Sequence, residues 1–192
     1  METSTLEELH LLWFGTMASG WADSPQRISW FAADPGFDAE LIRRFAGLPE
    51  RLLQEPRRKE PAVRELLSTV LAFDQLPRHL YRGTSRAFAF DAAARDLAAH
   101  IIDSQEDMNL TIDERAFVYM PFLHSESLED QVRSVRLFTA LRNQTPKGYR
   151  YLSGAFLQSA HQHHDIIRRF GRFPHRHRMP DQASSSQSPP VR

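Results

Sequence analysis

Apolar residues recur along this chain in steps of three and four, and nowhere do they alternate in steps of two for long enough to build a sheet. That period commits the chain to helices. Leu6, Leu9 and Trp13 open the pattern and Gly15 ends the first run. Asp34-Pro35 reads as an N-cap followed by a first helical position, with Phe37, Leu41, Phe45 and Leu48 on one stripe before Pro49 stops it. Val63, Leu66, Leu67, Val70 and Leu71 give the cleanest helix, ended by Pro77. Arg78 to Gly83 then reads as a loop. Asp91 caps a helix that turns Ala94, Leu97, Ala98 and Ile101 inward, and Asp113 starts another with Ala116, Phe117 and Met120, disturbed at Pro121. Leu128, Val132, Val135 and Phe138 mark the next. Leu152, Phe156, Ala160, His163, Ile167 and Phe170 mark the last, closed by Gly171 and Pro174. About seven helices with short connections predict an all-α fold of antiparallel neighbours.

The 192 residues make one domain, drawn at residues 1–178. Two segments are expected outside its core. Residues 49–61 read as a polar, Pro-bounded linker. Residues 179–192, rich in Ser, Pro and Gln, lack the apolar content to offset ordering entropy and read as a disordered tail. The absence of Cys excludes a disulfide scaffold, a thiolate zinc site and a cysteine nucleophile. The first ten residues carry three Glu and no basic residue, the reverse of a signal peptide. No apolar run approaches the ~20 residues of a spanning helix. The expectation is a cytoplasmic protein with no membrane partner.

The charges, 24 against 24, sum to +0 but are unevenly spread. From Arg142 to Arg178 eight Lys/Arg face the single acid Asp165. A neutral total argues against nucleic acid or another general polyanion as partner. Tyr149, Tyr151, Phe156, Phe170 and Phe173 in the basic segment fall mostly on the core stripe or in the closing turn, not on a stacking platform. One local anion site remains open to the chain.

Three polar clusters interrupt the apolar pattern. In the first, Asp74-Gln75-Leu76-Pro77-Arg78 ends the cleanest helix, and Arg78, Arg82 and Arg86 recur every four residues around Gly83. A guanidinium is a planar fork of donors suited to carboxylate or phosphate. These arginines serve either an internal Asp–Arg pair or an anionic ligand. The second cluster joins Glu114-Arg115, Tyr119-Met120-Pro121 and His124-Ser125-Glu126. A His beside a carboxylate is an acid–base or metal pair, unless Ser125 or Glu126 simply starts the following helix. The third runs from His161 to His177 and holds five of the nine His. His163 falls on the apolar stripe, as a core histidine or a functional one. The spacing does not match a zinc helix, which wants His at i and i+4 with an intervening Glu. No P-loop, dinucleotide fingerprint or nucleophile elbow occurs. No metal ligand is assigned, and no cofactor is named.

Taken in order, Trp13-Phe14-Gly15, Phe37-Asp38, Asp74-Gln75-Leu76-Pro77-Arg78, Arg82-Gly83-Thr84, Ala87-Phe88, Glu114-Arg115, Tyr119-Met120-Pro121, His124-Ser125-Glu126, His163 and Phe170-Gly171-Arg172-Phe173-Pro174-His175-Arg176 resemble the bacterial domain-of-unknown-function 924 family over about residues 6–178. The resemblance implies a tetratricopeptide-repeat-like, right-handed superhelical array and supplies no reaction. Its polar signature positions imply that Asp74, Arg78, His124, Glu126 and His163 converge. On this basis His124, Glu126, His163 and Asp74 are the candidate proton-transfer residues. Arg78, Arg82, Arg86, Arg115, Tyr119, Arg169, Arg172 and Arg176 are the candidate ligand-binding residues. Two functions follow: a pocket for a small anionic ligand, or a helical scaffold that binds a peptide or partner protein, with the polar clusters as internal struts.

Overall fold

The computed structural model describes residues 4–30, 34–55 and 59–176. These form α1 (Thr5–Phe14), α2 (Ser24–Ser29), α3 (Pro35–Phe45), α4 (Leu48–Gln54), α5 (Val63–Asp74), α6 (Leu76–Leu80), α7 (Asp91–Asp103), α8 (Ile112–Leu123), α9 (Leu128–Gln144) and α10 (Arg150–Phe170). Short 3-10 turns lie at Ser85–Phe88, Glu106–Asn109 and Lys147–Tyr149. Among the described residues there is no strand, and the fold is all-α. The seven helices read from the apolar period are the seven with ten or more residues; α2, α4 and α6 are additional. No described helix is long and apolar enough to cross a membrane.

α8 is the centre. Every residue from Asp113 to Leu123 is buried, and α5, α7, α9 and α10 all pack against it. α9 lies against α10, α7 against α5, and α1 against α5. Trp13, Phe14, Trp30 and Phe156 surround Phe117 with ring centroids 4.6–6.3 Å away. α8 starts one residue before Asp113, because Thr111 and Glu114 form a reciprocal capping box there. Glu114 also accepts from His10 Nε2 at 2.8 Å and from Arg64 Nε at 3.1 Å. That ties α1 and α5 to the start of α8. Burial alone would raise the Glu114 pKa, but these donors and Thr111 pull it down to about 2.

Several local expectations are corrected. Pro77 does not end a helix; it sits in the first turn of α6, where no backbone donor is needed, so Arg78 to Leu80 is helical and not loop. Pro49 does the same for α4 (Leu48–Gln54), which places Pro49 to Gln54 of the expected linker in a helix. Pro121 lies within α8, which continues to Leu123. Asp91 makes no cap; Phe90 holds the N-cap position of α7 and the Asp91 carboxylate is drawn to arginines. Ser127 caps α9, with neither Ser125 nor Glu126 in that role. The buried face of α9 is Gln131, Ser134, Phe138 and Leu141, and Leu128 is exposed. Gln131 turns inward because its Nε2 donates to the carbonyls of Leu123 and Ser125 at 2.8 and 2.6 Å. Those carbonyls lie at the end of α8 and just beyond it, where helical partners run out. Phe170 is half exposed at the end of α10. The tail expected at 179–192 lies outside the described residues.

Candidate functional site

The C-terminal ends of α5 and α8 meet. Asp74, the last residue of α5, is completely buried. Its Oδ1 accepts from Nδ1 of His124, the C-cap of α8, at 2.8 Å. A carboxylate can only accept, so Nδ1 carries the hydrogen and Nε2 is the ring nitrogen left for other partners. Gln75 Nε2 donates to the other Asp74 oxygen at 2.5 Å. Arg78 Nη1 lies 3.4 Å from Asp74 Oδ1, donates to the Asp74 carbonyl, and reaches Asp91 Oδ1 at 2.9 Å. Burial by itself would raise the Asp74 pKa. His124 and Arg78, with the donors from His124 and Gln75, outweigh it and hold the carboxyl below the usual range.

The segment after α10 braces this cluster. Arg176 Nη1 donates to Asp91 Oδ2 at 3.1 Å, and its Nη2 to the His124 carbonyl at 2.9 Å. Its guanidinium lies 4.3 Å from the Phe88 ring and 4.8 Å from the Phe173 ring. Glu126 accepts from the Phe173 backbone N–H at 2.8 Å. His163 on α10 donates from Nδ1 to the Leu123 carbonyl at 3.1 Å, with its ring 6.3 Å from that of His124. Burial, reinforced by the His124, Arg176 and His175 charges, pushes the His163 pKa down to about 4. His163 is therefore neutral at pH 7, with Nε2 a bare acceptor.

Both histidines open onto a cavity of about 450 Å³ between α2, α8 and α10. Trp30, Met120, Leu123, Leu152, Ala155 and Phe156 supply its apolar wall; Arg27, Asp113, Tyr151 and Ser159 add polar groups. Its size lies within the range of small-molecule sites. Arg27 Nη2 meets Asp113 Oδ2 at 2.5 Å, and the same oxygen accepts from the Ala22 N–H at 2.9 Å.

The chain belongs to a known family. The family model described as "Bacterial protein of unknown function (DUF924)" matches residues 9–187, which include every residue of the polar cluster and of the cavity. A solved structure described as a protein of unknown function from Agrobacterium tumefaciens is 31% identical, with a TM-score of 0.66, covering 83% of this chain and 85% of that one. No curated protein matches the chain. Membership of DUF924 thus carries the fold and leaves the chemistry to be read from the site.

In this DUF924 chain Asp74, Arg78, His124, Glu126, His163 and Arg176 do come together, yet only His124 and His163 of the expected residues line the cavity. The other arginines are placed elsewhere. Arg82 pairs with Asp38 at 2.9 Å, beside His79, which bonds the same carboxylate at 2.6 Å. Arg86 pairs with Glu50 at 2.6 Å, and Tyr81 donates to the same oxygen. Arg115 donates to Tyr119 Oη and to Gln144, while Tyr119 donates to buried Asp107. Arg169 and Arg172 are exposed. Arg27, Asp113, Asp91 and Trp30 escaped the sequence reading. Asp91 and Asp113 read locally as helix starts, and Arg27 meets Asp113 across 86 residues of chain, which no local pattern reports. Among the described residues no group of three His, Cys, Asp or Glu is placed to hold a metal ion.

Proposed function

We propose that the cavity between α2, α8 and α10 binds a small molecule with a mostly apolar body, and that His124 exchanges a proton with its polar head. The observation that supports this is the 2.8 Å bond from Asp74 to His124 Nδ1 at the wall of the cavity. A buried carboxylate on one ring nitrogen fixes the tautomer, leaves Nε2 as the base, and stabilises the imidazolium that forms when Nε2 takes a proton. Neutral His163 adds an acceptor 6.3 Å away, ring to ring.

The charge balance narrows the ligand. Arg27 faces Asp113, Arg78 faces Asp74 and Asp91, and Arg176 faces Asp91. A multiply charged anion is disfavoured because each of these cations already faces a carboxylate, so the ligand carries at most one full negative charge, met by the Arg27 donors that Asp113 leaves unused. The test is a thermal-shift screen of small acids, alcohols and amides on the parent protein and on Ala155→Trp. Ala155 is an exposed wall residue, so the larger ring fills the cavity without entering the core. A hit lost in Ala155→Trp supports the proposal; no hit, or hits indifferent to the substitution, removes its basis.

The second function, a scaffold for a peptide or partner protein, is favoured by the arginines already matched to carboxylates, which act as struts between helices. Under that function the parent protein captures peptides and Ala155→Trp captures them equally well.

A further inference from the structure

The cavity has two polar ends. Phe117 meets Phe156, and six residues later Leu123 meets His163, so α8 and α10 run in the same direction along its length. Asp113, with Arg27, lies at the start of α8, and His124, with His163, lies at its end. Helical rise separates Asp113 from His124 by about 16 Å. Between them the wall is Trp30, Met120, Leu152 and Phe156. A cavity of about 450 Å³ bounded by both ends has room for one small elongated molecule.

The two ends differ in chemistry. At the first, Asp113 occupies one Arg27 nitrogen, Nη2, and Arg27 Nε finds no hydrogen-bond partner among the described residues. The guanidinium also lies over the Trp21 ring at 5.6 Å, and Trp21 stacks on Tyr149 at 4.4 Å, which fixes its plane. A planar fork held flat with donors to spare suits one carboxylate. At the second end, His124 and His163 each engage Nδ1 in a protein bond, which leaves Nε2 as the ring nitrogen for other partners. A hydroxyl, which both donates and accepts, suits such a pair.

We propose that the ligand is an elongated monocarboxylate with a hydroxyl at its far end, an ω-hydroxy acid, bound with its carboxylate at Arg27 and its hydroxyl at His124. This rests on the small-molecule function proposed above. It makes Arg27 the residue that selects an acid and the spacing of the two ends the ruler that selects length.

The experiment is calorimetric titration with ω-hydroxy acids from hydroxybutyrate to hydroxyhexadecanoate, and with the matching diols. Parent protein, Arg27→Gln, Arg27→Lys and Ala155→Trp are compared, each first checked for a native melting transition. Affinity should rise with length to a single optimum and then fall. Arg27→Gln should weaken the best acid at least about tenfold more than its diol. Arg27→Lys keeps a charge opposite Asp113 if the Gln variant does not fold, and should show the same loss because the fork is gone. Ala155→Trp should abolish binding of the whole series. Affinity without a length optimum, or equal losses for acid and diol in the Arg27 variants, overturns the ω-hydroxy acid. If a molecule of another shape binds the parent and is lost in Ala155→Trp, the pocket stands and this ligand class falls. If nothing binds, both fall.

Discussion

Asp74 and His124 are 50 residues apart in sequence and 2.8 Å apart in space, and the carboxylate is wholly enclosed. A buried charge of this kind is tolerated only because its partners are in place. Asp74→Ala leaves Arg78 and His124 facing an empty position, and should lower stability by about 3–5 kcal/mol. Urea denaturation measures it. A loss below about 1 kcal/mol would mean that the pair is solvated in solution.

His163 gives the protein an acid sensitivity with a defined sign. Its folded pKa of about 4 lies below the ordinary 6.5, so the folded state resists the proton that the unfolded chain accepts. The contribution is fully present above pH 6.5 and is lost as pH falls toward 4. His163→Gln retains a donor for the Leu123 carbonyl and removes the titration. Melting temperature measured from pH 7 to pH 4 should therefore fall less steeply in the variant, and identical slopes would contradict the assignment.

Glu114 links three helices through one carboxylate. Glu114→Gln keeps the shape and weakens the bonds to His10 and Arg64, for an expected loss of about 1.5–3 kcal/mol at pH 7. Its folded pKa of about 2 lies below the ordinary 4.5. The charge therefore contributes fully above pH 4.5, and the contribution is lost as pH falls toward 2. The difference between parent and variant should shrink over that window. Thr111→Ala, which removes the cap hydroxyl, should cost about 1 kcal/mol at pH 7.

The three arginines near the end of the described chain should behave differently. Arg169→Ala and Arg172→Ala alter exposed positions and should change stability by no more than about 0.5 kcal/mol. Arg176→Ala removes a cation paired with Asp91 and lodged between two rings, and should cost about 3 kcal/mol. Thermal denaturation of the three variants side by side shows the ranking, and equal values would sink it.

What could be read from sequence followed from local rules. The stripe Ala94, Leu97, Ala98 and Ile101 is buried as the period requires, and Gly15 ends α1 in a positive-φ conformation that suits glycine. Errors arose where a local signal has two meanings. Proline both ends helices and begins them, and Pro49 and Pro77 begin them. An acid at a helix start is a cap or a distant partner, and Asp91 and Asp113 are partners. The α9 face is rotated because Gln131 serves carbonyls near the end of another helix, a need that hydrophobicity does not encode. The convergence of Asp74, Arg78, His124, Glu126 and His163 came from a resemblance and not from spacing. The cavity itself, made where α2 crosses α8 and α10, left no trace in any single segment.

The bracing of His124 and Asp91 by Arg176 bears on synthesis as well as on geometry. A ribosome delivers Asp91 and His124 long before it delivers Arg176, which follows them by 85 and 52 residues. Until then the second oxygen of Asp91 and the carbonyl at the end of α8 lack the donors they have in the finished protein. Arg176, in the segment after α10, is thus the last member of the cluster to be made, and the group that locks the others is the one that follows them all in sequence.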